Sequence, residues 1–189
     1  MLGMEAHMQV LKEEVRQRII KYARKEFKKC GFEKASMRSI ASNANMTVGN
    51  LYRYYKNKED LYGAIIGGLF DEIKALKASL PEEPEPRLSY LLENFKELQK
   101  DHRSEWLTLF GGSVGTKYQK VADDIHNILR NTLKGVLEQN GRRPEIAVPV
   151  ASAIIYGLNT ILRSEKGKSG DLADDFLNYM MVDIANRVA

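Results

Sequence analysis

The stretch SMRSIASNANMTVGNLYRYYKNKEDL, residues 36 to 61, decides the fold of this chain. Ser36 precedes the short run MRSIASNA and Thr47 precedes VGNLYRYY, and serine and threonine are both preferred helix N-caps. Between the two runs Asn45 suits a turn, because asparagine tolerates a positive φ angle. The pattern predicts two short helices joined by a turn, which is typical of a helix-turn-helix.

The second of these helices has little apolar surface to bury. Val48, Leu51 and Tyr55 lie at positions i, i+3 and i+7, which is enough to hold the helix on its neighbours. The rest of its surface is formed by Gly49, Asn50, Tyr52, Arg53 and Tyr54. Tyrosine hydroxyls and cations suit phosphate oxygens, and an asparagine amide suits a base edge. We therefore expect this helix to enter the major groove of double-stranded DNA.

The distribution of charge agrees with this expectation. The chain has a net charge of +4, but residues 1–60 hold 13 Lys or Arg against 7 Asp or Glu, a balance of +6. Residues 61–189 hold 16 Lys or Arg against 18 Asp or Glu, a balance of −2. The positive charge therefore belongs to the N-terminal third, which predicts a polyanion-binding part attached to a larger part with another role.

Helical periodicity continues along almost the whole chain, and no alternating run is long enough to predict a strand. Apolar residues recur every four positions before Gly31, and they predict a first helix of about twenty residues that starts near Leu11. Asn57 can cap a fourth helix that runs from Lys58 to about Ala78. After the break PEEPEP, helices are predicted at about 86–101, 103–110, 117–139, 145–163 and 171–187. The sequence thus predicts an all-α chain of about nine helices.

Residues 36–61, with the preceding FKKCGFEKAS, resemble the DNA-binding region of the TetR family of bacterial one-component repressors. The similarity covers roughly residues 11–70 and rests on the caps, the turn and the run LYRYYKNKEDL. It implies an all-α homodimer with an N-terminal three-helix helix-turn-helix domain at 1–57. It also implies a C-terminal helical domain at 58–189 that binds an effector and forms the dimer.

The resemblance implies a role for individual residues. Backbone phosphates are contacted in the family at the positions of Ser36, Arg38, Thr47, Tyr52, Tyr54 and Lys58. Bases are read or approached at the positions of Val48, Gly49, Asn50 and Arg53. The chain departs from the family pattern at Asn45, where a turn glycine is common, and at Val48, where a polar or basic residue is frequent. Because Val48 can contact a thymine methyl but cannot hydrogen-bond, base readout is expected to rest on Asn50 and on DNA shape.

Five residues of the C-terminal part are candidates for binding a small-molecule effector: Trp106, Phe110, Tyr118, Tyr156 and Asn159. Tyr156 and Asn159 lie three apart in the helix AIIYGLNTIL, so both could face one cavity. Asn159 is the strongest candidate, since an amide in so apolar a helix needs a hydrogen-bonding partner. The alternative is that these side chains, which recur at helical spacing, belong to the core.

The two C-terminal helices, predicted at 145–163 and 171–187, offer more apolar surface than one shared stripe needs. The first carries Ala151, Ile155, Leu158 and Leu162, and the second carries Phe176, Leu177, Met180 and Ile184. The excess is expected to be buried against a second copy of the chain.

Other kinds of site are not indicated by the sequence. The single cysteine, Cys30, allows no internal disulfide, and His126 with Asp123 is too small a set to hold a metal ion. Neither an export signal nor a long uninterrupted apolar run is present, so we expect a cytoplasmic protein that does not enter a membrane. Because the common catalytic motifs are missing, we also expect no enzymatic activity and no cofactor.

The sequence therefore predicts a transcriptional repressor that an effector releases from a palindromic operator. The alternative is a DNA-binding regulator whose C-terminal domain engages another protein and not a small molecule. An enclosed apolar cavity in that domain would favour the first interpretation, and a filled core would favour the second.

Overall fold

A computed structural model describes residues 2–164 and 171–181 of the chain, and within those ranges it confirms the all-α fold. The helices are α1 Leu2–Lys34, α2 Met37–Asn43, α3 Val48–Tyr54, α4 Lys58–Ala78, α5 Pro84–Asp101, α6 Arg103–Gly112, α7 Gln119–Gln139, α8 Ala147–Ser164 and α9 Asp171–Met181. A short 3-10 turn at Pro144–Ile146 leads into α8. The part of the last predicted helix beyond Met181, which includes Ile184, lies outside the described residues.

The first helix differs from its predicted bounds. It begins at Leu2, well before the predicted start near Leu11, although Gly3 lies in its first turn and the first turns show no clear apolar stripe. At Gly31 the backbone leaves the helical region with φ 73° and ψ 174°, so α1 has a sharp kink where its end was predicted. A positive φ of this kind costs glycine little, whereas a residue with a Cβ atom would be strained.

The head of the molecule, α1 to α3, closes around a small apolar core. Ile19, Ala23 and Phe27 of α1 are buried against Ile40 of α2 and Leu51 of α3. Helices of seven residues are not stable by themselves in water, so α2 and α3 depend on this burial. The core therefore fixes the angle between the two short helices.

The head also packs directly on the rest of the chain, because α1 lies along α6. The closest approach joins two glycines: a Cβ atom placed on Gly112 would lie 2.8 Å from the Cα atom of Gly31. Beside them Arg24 of α1 pairs with Glu105 of α6. The connection between head and body therefore includes a tight helix contact in addition to the covalent link through α4.

A buried tyrosine joins four segments at the centre of the molecule. The hydroxyl of Tyr62 in α4 donates to the carbonyl oxygen of Thr108 in α6 at 2.9 Å. Its ring makes edge contacts with Phe27 and Phe32 of α1, at centroid distances of 5.1 and 5.4 Å, and lies 5.8 Å from the ring of Tyr118. Burial raises the pKa of the Tyr62 phenol, so the hydroxyl keeps its proton and its hydrogen bond.

The body consists of α5 to α9. Helix α7 packs on α5 and α8, helix α8 also packs on α6 and α9, and their apolar residues continue the core of the head. Phe95, Trp106, Leu129, Leu133 and Leu158 are buried there. The segment Pro144–Ser164 is, by length and composition alone, the one described helix apolar enough to cross a bilayer. Only 33% of its most apolar stretch is buried by the described residues. The helix therefore carries an apolar face that residues 2–164 and 171–181 leave uncovered.

Candidate nucleic-acid interface

The turn between α2 and α3 has the geometry that the sequence predicts. The Ser36 hydroxyl oxygen accepts the backbone N–H of Ser39 at 3.4 Å, and the Thr47 hydroxyl oxygen accepts that of Asn50 at 3.2 Å. Asn45 has φ 55°, in the left-handed region, and it is the one described non-glycine residue with a positive φ. Both helix starts and the turn are therefore set by short-range chemistry, and together they form a helix-turn-helix.

Helix α3 uses one edge for packing and leaves the other free. Leu51 is fully buried and Val48 is half-buried against the core of the head. Asn50 and Arg53 are exposed, and the Tyr52 side chain is 49% exposed. The residues proposed to read bases therefore lie at the surface, apart from the half-buried Val48.

Gly49 has no packing role inside the protein. A Cβ atom at this position would meet no other atom within 4 Å, and the backbone does not adopt a positive φ here. Neither a steric conflict within the chain nor a strained dihedral therefore requires glycine. The missing side chain leaves a flat surface on which another molecule could approach the backbone of α3 closely.

A wide groove of about 980 Å³ runs between α3 and α1. Asn50, Arg53 and Tyr54 form one wall. Lys12 and Arg16 stand on the opposite wall, where Glu13 accompanies them. Lys12 and Arg16 contribute to the positive charge of the N-terminal third, but their position opposite α3 was not predicted. The i, i+4 spacing of the two cations was the available signal, and it indicates a shared helix face without saying what lies across from it.

The residues expected to contact phosphates differ in how exposed their side chains are. Ser36 and Arg38 are exposed at the start of α2, and Thr47 is exposed at the start of α3. Tyr54 is half-buried and packs against the core of the head while it also lines the groove. Tyr55, which follows it, is half-buried as well, and desolvation raises the pKa of its phenol although the charge of Arg16 opposes this.

Lys58 is held by the end of α1. Its ammonium group donates to the carbonyl oxygens of Phe32 at 2.6 Å, Glu33 at 3.1 Å and Ala35 at 3.1 Å. The same group lies 4.4 Å from the centroid of the Phe32 ring. These carbonyls lie at a helix terminus, where a cation is favourable, and that of Phe32 also accepts the backbone N–H of Ala35 at 3.2 Å. A phosphate contact by Lys58, as the family resemblance implies, would have to share the ammonium group with this cluster.

The five candidate effector residues do not converge on one place. Trp106 is fully buried in the core, next to the rings of Phe95 and Phe110 at 5.6 and 4.3 Å. Tyr156 is 75% exposed on the surface of α8, whereas the side-chain oxygen of Asn159 is buried. Tyr118 lies elsewhere, at the start of α7. The expectation that Tyr156 and Asn159 face the same cavity therefore does not match their surroundings, because one points to solvent.

Comparison with known proteins places the helix-turn-helix in a family. The family described as "Bacterial regulatory proteins, tetR family" matches residues 19–65. An uncharacterized HTH-type transcriptional regulator of Bacillus subtilis (strain 168), YhgD, is 35% identical over 68 residues. That alignment covers 33% of this chain and 36% of YhgD, so the sequence similarity to this relative extends over about a third of its length.

Solved structures extend the similarity of fold over nearly the whole chain. A TetR-like transcriptional regulator from Rhodococcus sp. RHA1 has a TM-score of 0.57 at 24% identity, covering 88% of this chain and 92% of that one. A TetR family regulator from Chloroflexus aurantiacus J-10-FL has a TM-score of 0.64 at 16% identity, covering 93% of each chain. NalD, the secondary repressor of the MexAB-OprM multidrug efflux pump in Pseudomonas aeruginosa, has a TM-score of 0.55 at 22% identity, covering 90% and 95%. The family match therefore identifies residues 19–65 as the DNA-binding region of a TetR-type regulator, and the solved structures show that the whole chain has the fold of TetR-like regulators.

Proposed function

We propose that the protein is a repressor that binds a palindromic operator as a homodimer and leaves it when a small-molecule effector binds. The exposed edge of α3 carries this proposal. Gly49, Asn50 and Arg53 are presented at the surface by a correctly capped helix and are not used to pack the head. Such an edge, beside the basic groove of α1, fits the major groove and the flanking phosphates.

The N-cap residues of α2 and α3 each keep a hydroxyl hydrogen that can be donated to DNA. A hydroxyl can donate one hydrogen bond while its oxygen accepts another, and the caps at Ser36 and Thr47 use only the accepting function. The hydroxyl hydrogens of both residues are therefore available to phosphate oxygens. Arg38, exposed in the first turn of α2, adds a cation close to Ser36.

The homodimer is supported by the uncovered faces of α8 and α9. Val148 and Tyr156 of α8 are 50% and 75% exposed, and Leu172 and Tyr179 of α9 are 51% and 68% exposed. Large apolar and aromatic side chains concentrated on two adjacent helices are typical of a protein interface. In a two-fold dimer the two pairs of helices would form a four-helix interface and place the two heads on the same side.

A small-molecule effector is supported by unpartnered polar atoms inside the body. Four polar groups are buried without a hydrogen-bonding partner among the described residues: the side-chain amide of Gln99, the indole N–H of Trp106, the hydroxyl of Thr132 and the side-chain oxygen of Asn159. They come from α5, α6, α7 and α8, which pack against one another. Because buried polar groups are rarely left unpaired, a polar ligand or ordered water is the expected partner.

Release from DNA would follow if the effector favours a dimer whose heads are wrongly spaced. Two recognition helices fit successive major grooves when they lie about 34–36 Å apart, one turn of B-DNA. A ligand shifts this equilibrium only by its difference in affinity for the two states. Helix α4 and the contact of α1 with α6 are the two routes by which the body would move the head.

Footprinting on the DNA upstream of the gene tests the proposal. We expect protection of two half-sites related by two-fold symmetry, with centres about ten base pairs or a multiple apart. The double variant Asn50→Ala/Arg53→Ala should lose the footprint, whereas Lys100→Ala/Lys134→Ala, two exposed lysines of the body, should keep it. Protection of a single asymmetric site, or an unchanged footprint with the α3 variant, would contradict the proposal.

A further inference from the structure

A lysine-rimmed groove of about 460 Å³ lies between the C-terminal half of α4 and the start of α7. Its floor is apolar, and Lys74, Lys77, Lys117 and Lys120 surround it. We propose that this groove binds an anionic amphiphile, a molecule with an apolar chain or ring system and one carboxylate, sulfonate or phosphate group. This groove is separate from the unpartnered polar atoms of α5 to α8, and this inference rests on the proposed function only in making an anionic amphiphile bound here an effector that the protein senses.

The floor of the groove gives an apolar body something to pack against. Ile73 is buried, while Phe70, Tyr118 and Val121 are half-buried and partly accessible from the groove. The rings of Phe70 and Tyr118 meet edge to face at 5.4 Å. Grooves and cavities of roughly 300–1,000 Å³ with mainly apolar walls are typical of small-molecule sites. A chain of several carbon atoms or a pair of fused rings therefore suits this floor.

The rim of the groove has an excess of positive charge. Lys77 pairs with Asp124 at 2.7 Å, and this is the one carboxylate that lines the groove. Lys74 and Lys117 lie over the rings of Phe70 and Tyr118 at 4.2 and 5.1 Å, so their charges stay beside the apolar floor.

The remaining charges near the groove do not cancel this excess. Lys120 has no carboxylate partner among the described residues. Glu59 approaches from the start of α4, where it accepts the backbone N–H of Lys117 at 3.0 Å. Three lysines therefore remain without an ion-pair partner around a small area, and a bound anion would reduce their mutual repulsion.

The combination of rim and floor distinguishes the ligand class. A basic patch alone would suit any polyanion, including DNA, but a polyanion would leave the apolar walls exposed to water. An apolar groove alone would suit a neutral molecule, but a neutral molecule would form no ion pair with the four lysine ammonium groups at the rim. A single anionic group on an apolar body satisfies both features, because the anion can stay at the wet rim while the apolar part leaves water.

The groove also touches the connection between body and head. A Cβ atom placed on Gly63 of α4 would lie 2.4 Å from the Tyr118 hydroxyl oxygen. The Tyr118 side chain therefore packs directly against that helix. Its ring is next to that of Tyr62, which in turn contacts Phe27 and Phe32 of α1. A ligand that displaces Tyr118 would therefore disturb the packing between α4 and α1.

Fluorescence titration with a matched pair of probes tests the site in the absence of DNA. The probes are 1-anilinonaphthalene-8-sulfonate and N-phenyl-1-naphthylamine, which differ by the sulfonate group. We expect Lys74→Gln/Lys120→Gln to weaken binding of the sulfonate probe by about tenfold, because each exposed charge contributes modestly, and to leave the neutral probe unchanged. The control Lys100→Gln/Lys134→Gln removes two exposed lysines from other parts of α5 and α7 and should change neither affinity.

Competition with aliphatic ligands extends the test to the class of natural ligand. Sodium decanoate should displace the sulfonate probe from the wild-type protein, and decanol at the same concentration should displace much less. The inference is overturned if the groove variant and the control bind the sulfonate probe equally, or if decanol competes as well as decanoate.

Operator binding is measured separately, so the two proposals can fail independently. Weaker decanoate binding by Lys74→Gln/Lys120→Gln, with an intact footprint in the absence of ligand, supports the groove. Wild-type binding of decanoate without any footprint would retain the groove and contradict the repressor. A normal footprint without decanoate binding would retain the repressor and contradict the groove.

Discussion

Helices α3 and α8 both leave a long edge uncovered, but the two edges differ in chemistry. The free edge of α3 presents an amide, a phenol and a guanidinium from Asn50, Tyr52 and Arg53. The free edge of α8 presents Val148 and Tyr156 beside small residues such as Ala153. An uncovered polar and cationic edge suits a hydrated polyanion, whereas an uncovered apolar edge suits another apolar surface. The difference agrees with the proposal that the protein binds DNA through α3 and a second copy of itself through α8.

Salt should separate the two surfaces most strongly. Between 50 and 200 mM salt we expect operator affinity to fall on the order of a thousandfold or more, if the dimer makes six to ten phosphate contacts. The burial of apolar surface releases no counterions. The dimer dissociation constant should therefore change by less than about threefold over the same range. Anisotropy of labelled operator DNA and sedimentation equilibrium measure the two quantities. Similar salt slopes for both would remove the distinction between the edges.

Charge placed on the α8 edge should prevent dimerisation. We expect Ala153→Glu/Tyr156→Glu to raise the dimer dissociation constant by on the order of a hundredfold or more, because two-fold symmetry brings like charges together. Sedimentation velocity at micromolar concentration measures this. Val114→Glu is the matched control, since Val114 is 56% exposed but lies between α6 and α7. A double variant that sediments as the wild type does would show that α8 faces something other than its own copy.

Removal of one cation beside α3 should have a smaller effect. We expect Arg38→Ala to weaken operator binding by about tenfold to thirtyfold and to lower the salt slope by about two, one contact in each half-site. Lys134→Ala in the body provides the control with the same loss of charge. An unchanged slope with Arg38→Ala would mean that this guanidinium does not contact a phosphate.

A pair of glycines gives the finest comparison of the two helices. We expect Gly157→Ala in α8 to destabilise the protein by about 1–3 kcal/mol, since the new Cβ atom would overlap the Phe176 ring, 2.3 Å away. Gly49→Ala in α3 meets no atom and should stabilise by roughly 0.5–1 kcal/mol through helix propensity. Urea unfolding measures both. If Gly49→Ala stabilises and also weakens operator binding, the open surface at α3 serves DNA; unchanged binding would assign it no such role.

Features set by neighbouring residues were predictable from the sequence. The caps at Ser36, Thr47 and Asn57 and the left-handed turn at Asn45 depend on chemistry within three or four positions, and the structure has all four. The all-α fold was predictable for the same reason, since helical periodicity is a local signal. The proposed roles of the exposed side chains on α3 remain predictions.

Features set by distant residues were not predictable in this way. Periodicity placed Tyr156 on one face of α8, but it does not say whether that face is covered by the same chain. The bonds of Lys58 reach carbonyls 23 to 26 residues earlier, and nothing in the spacing indicates them. The lysine-rimmed groove joins residues from α4 with residues of α7 more than forty positions later. Such arrangements follow from how helices pack and not from their own patterns.

The contact between Gly31 and Gly112 has a mechanical consequence. Side chains at a helix contact can change rotamer and absorb a small shift, but here the backbones of α1 and α6 meet with no side chain between them. We therefore expect a displacement of the end of α6 to move the end of α1 by a similar distance. In the proposed repressor, a change of body shape at this contact would therefore move α1, and with it the packed helices α2 and α3.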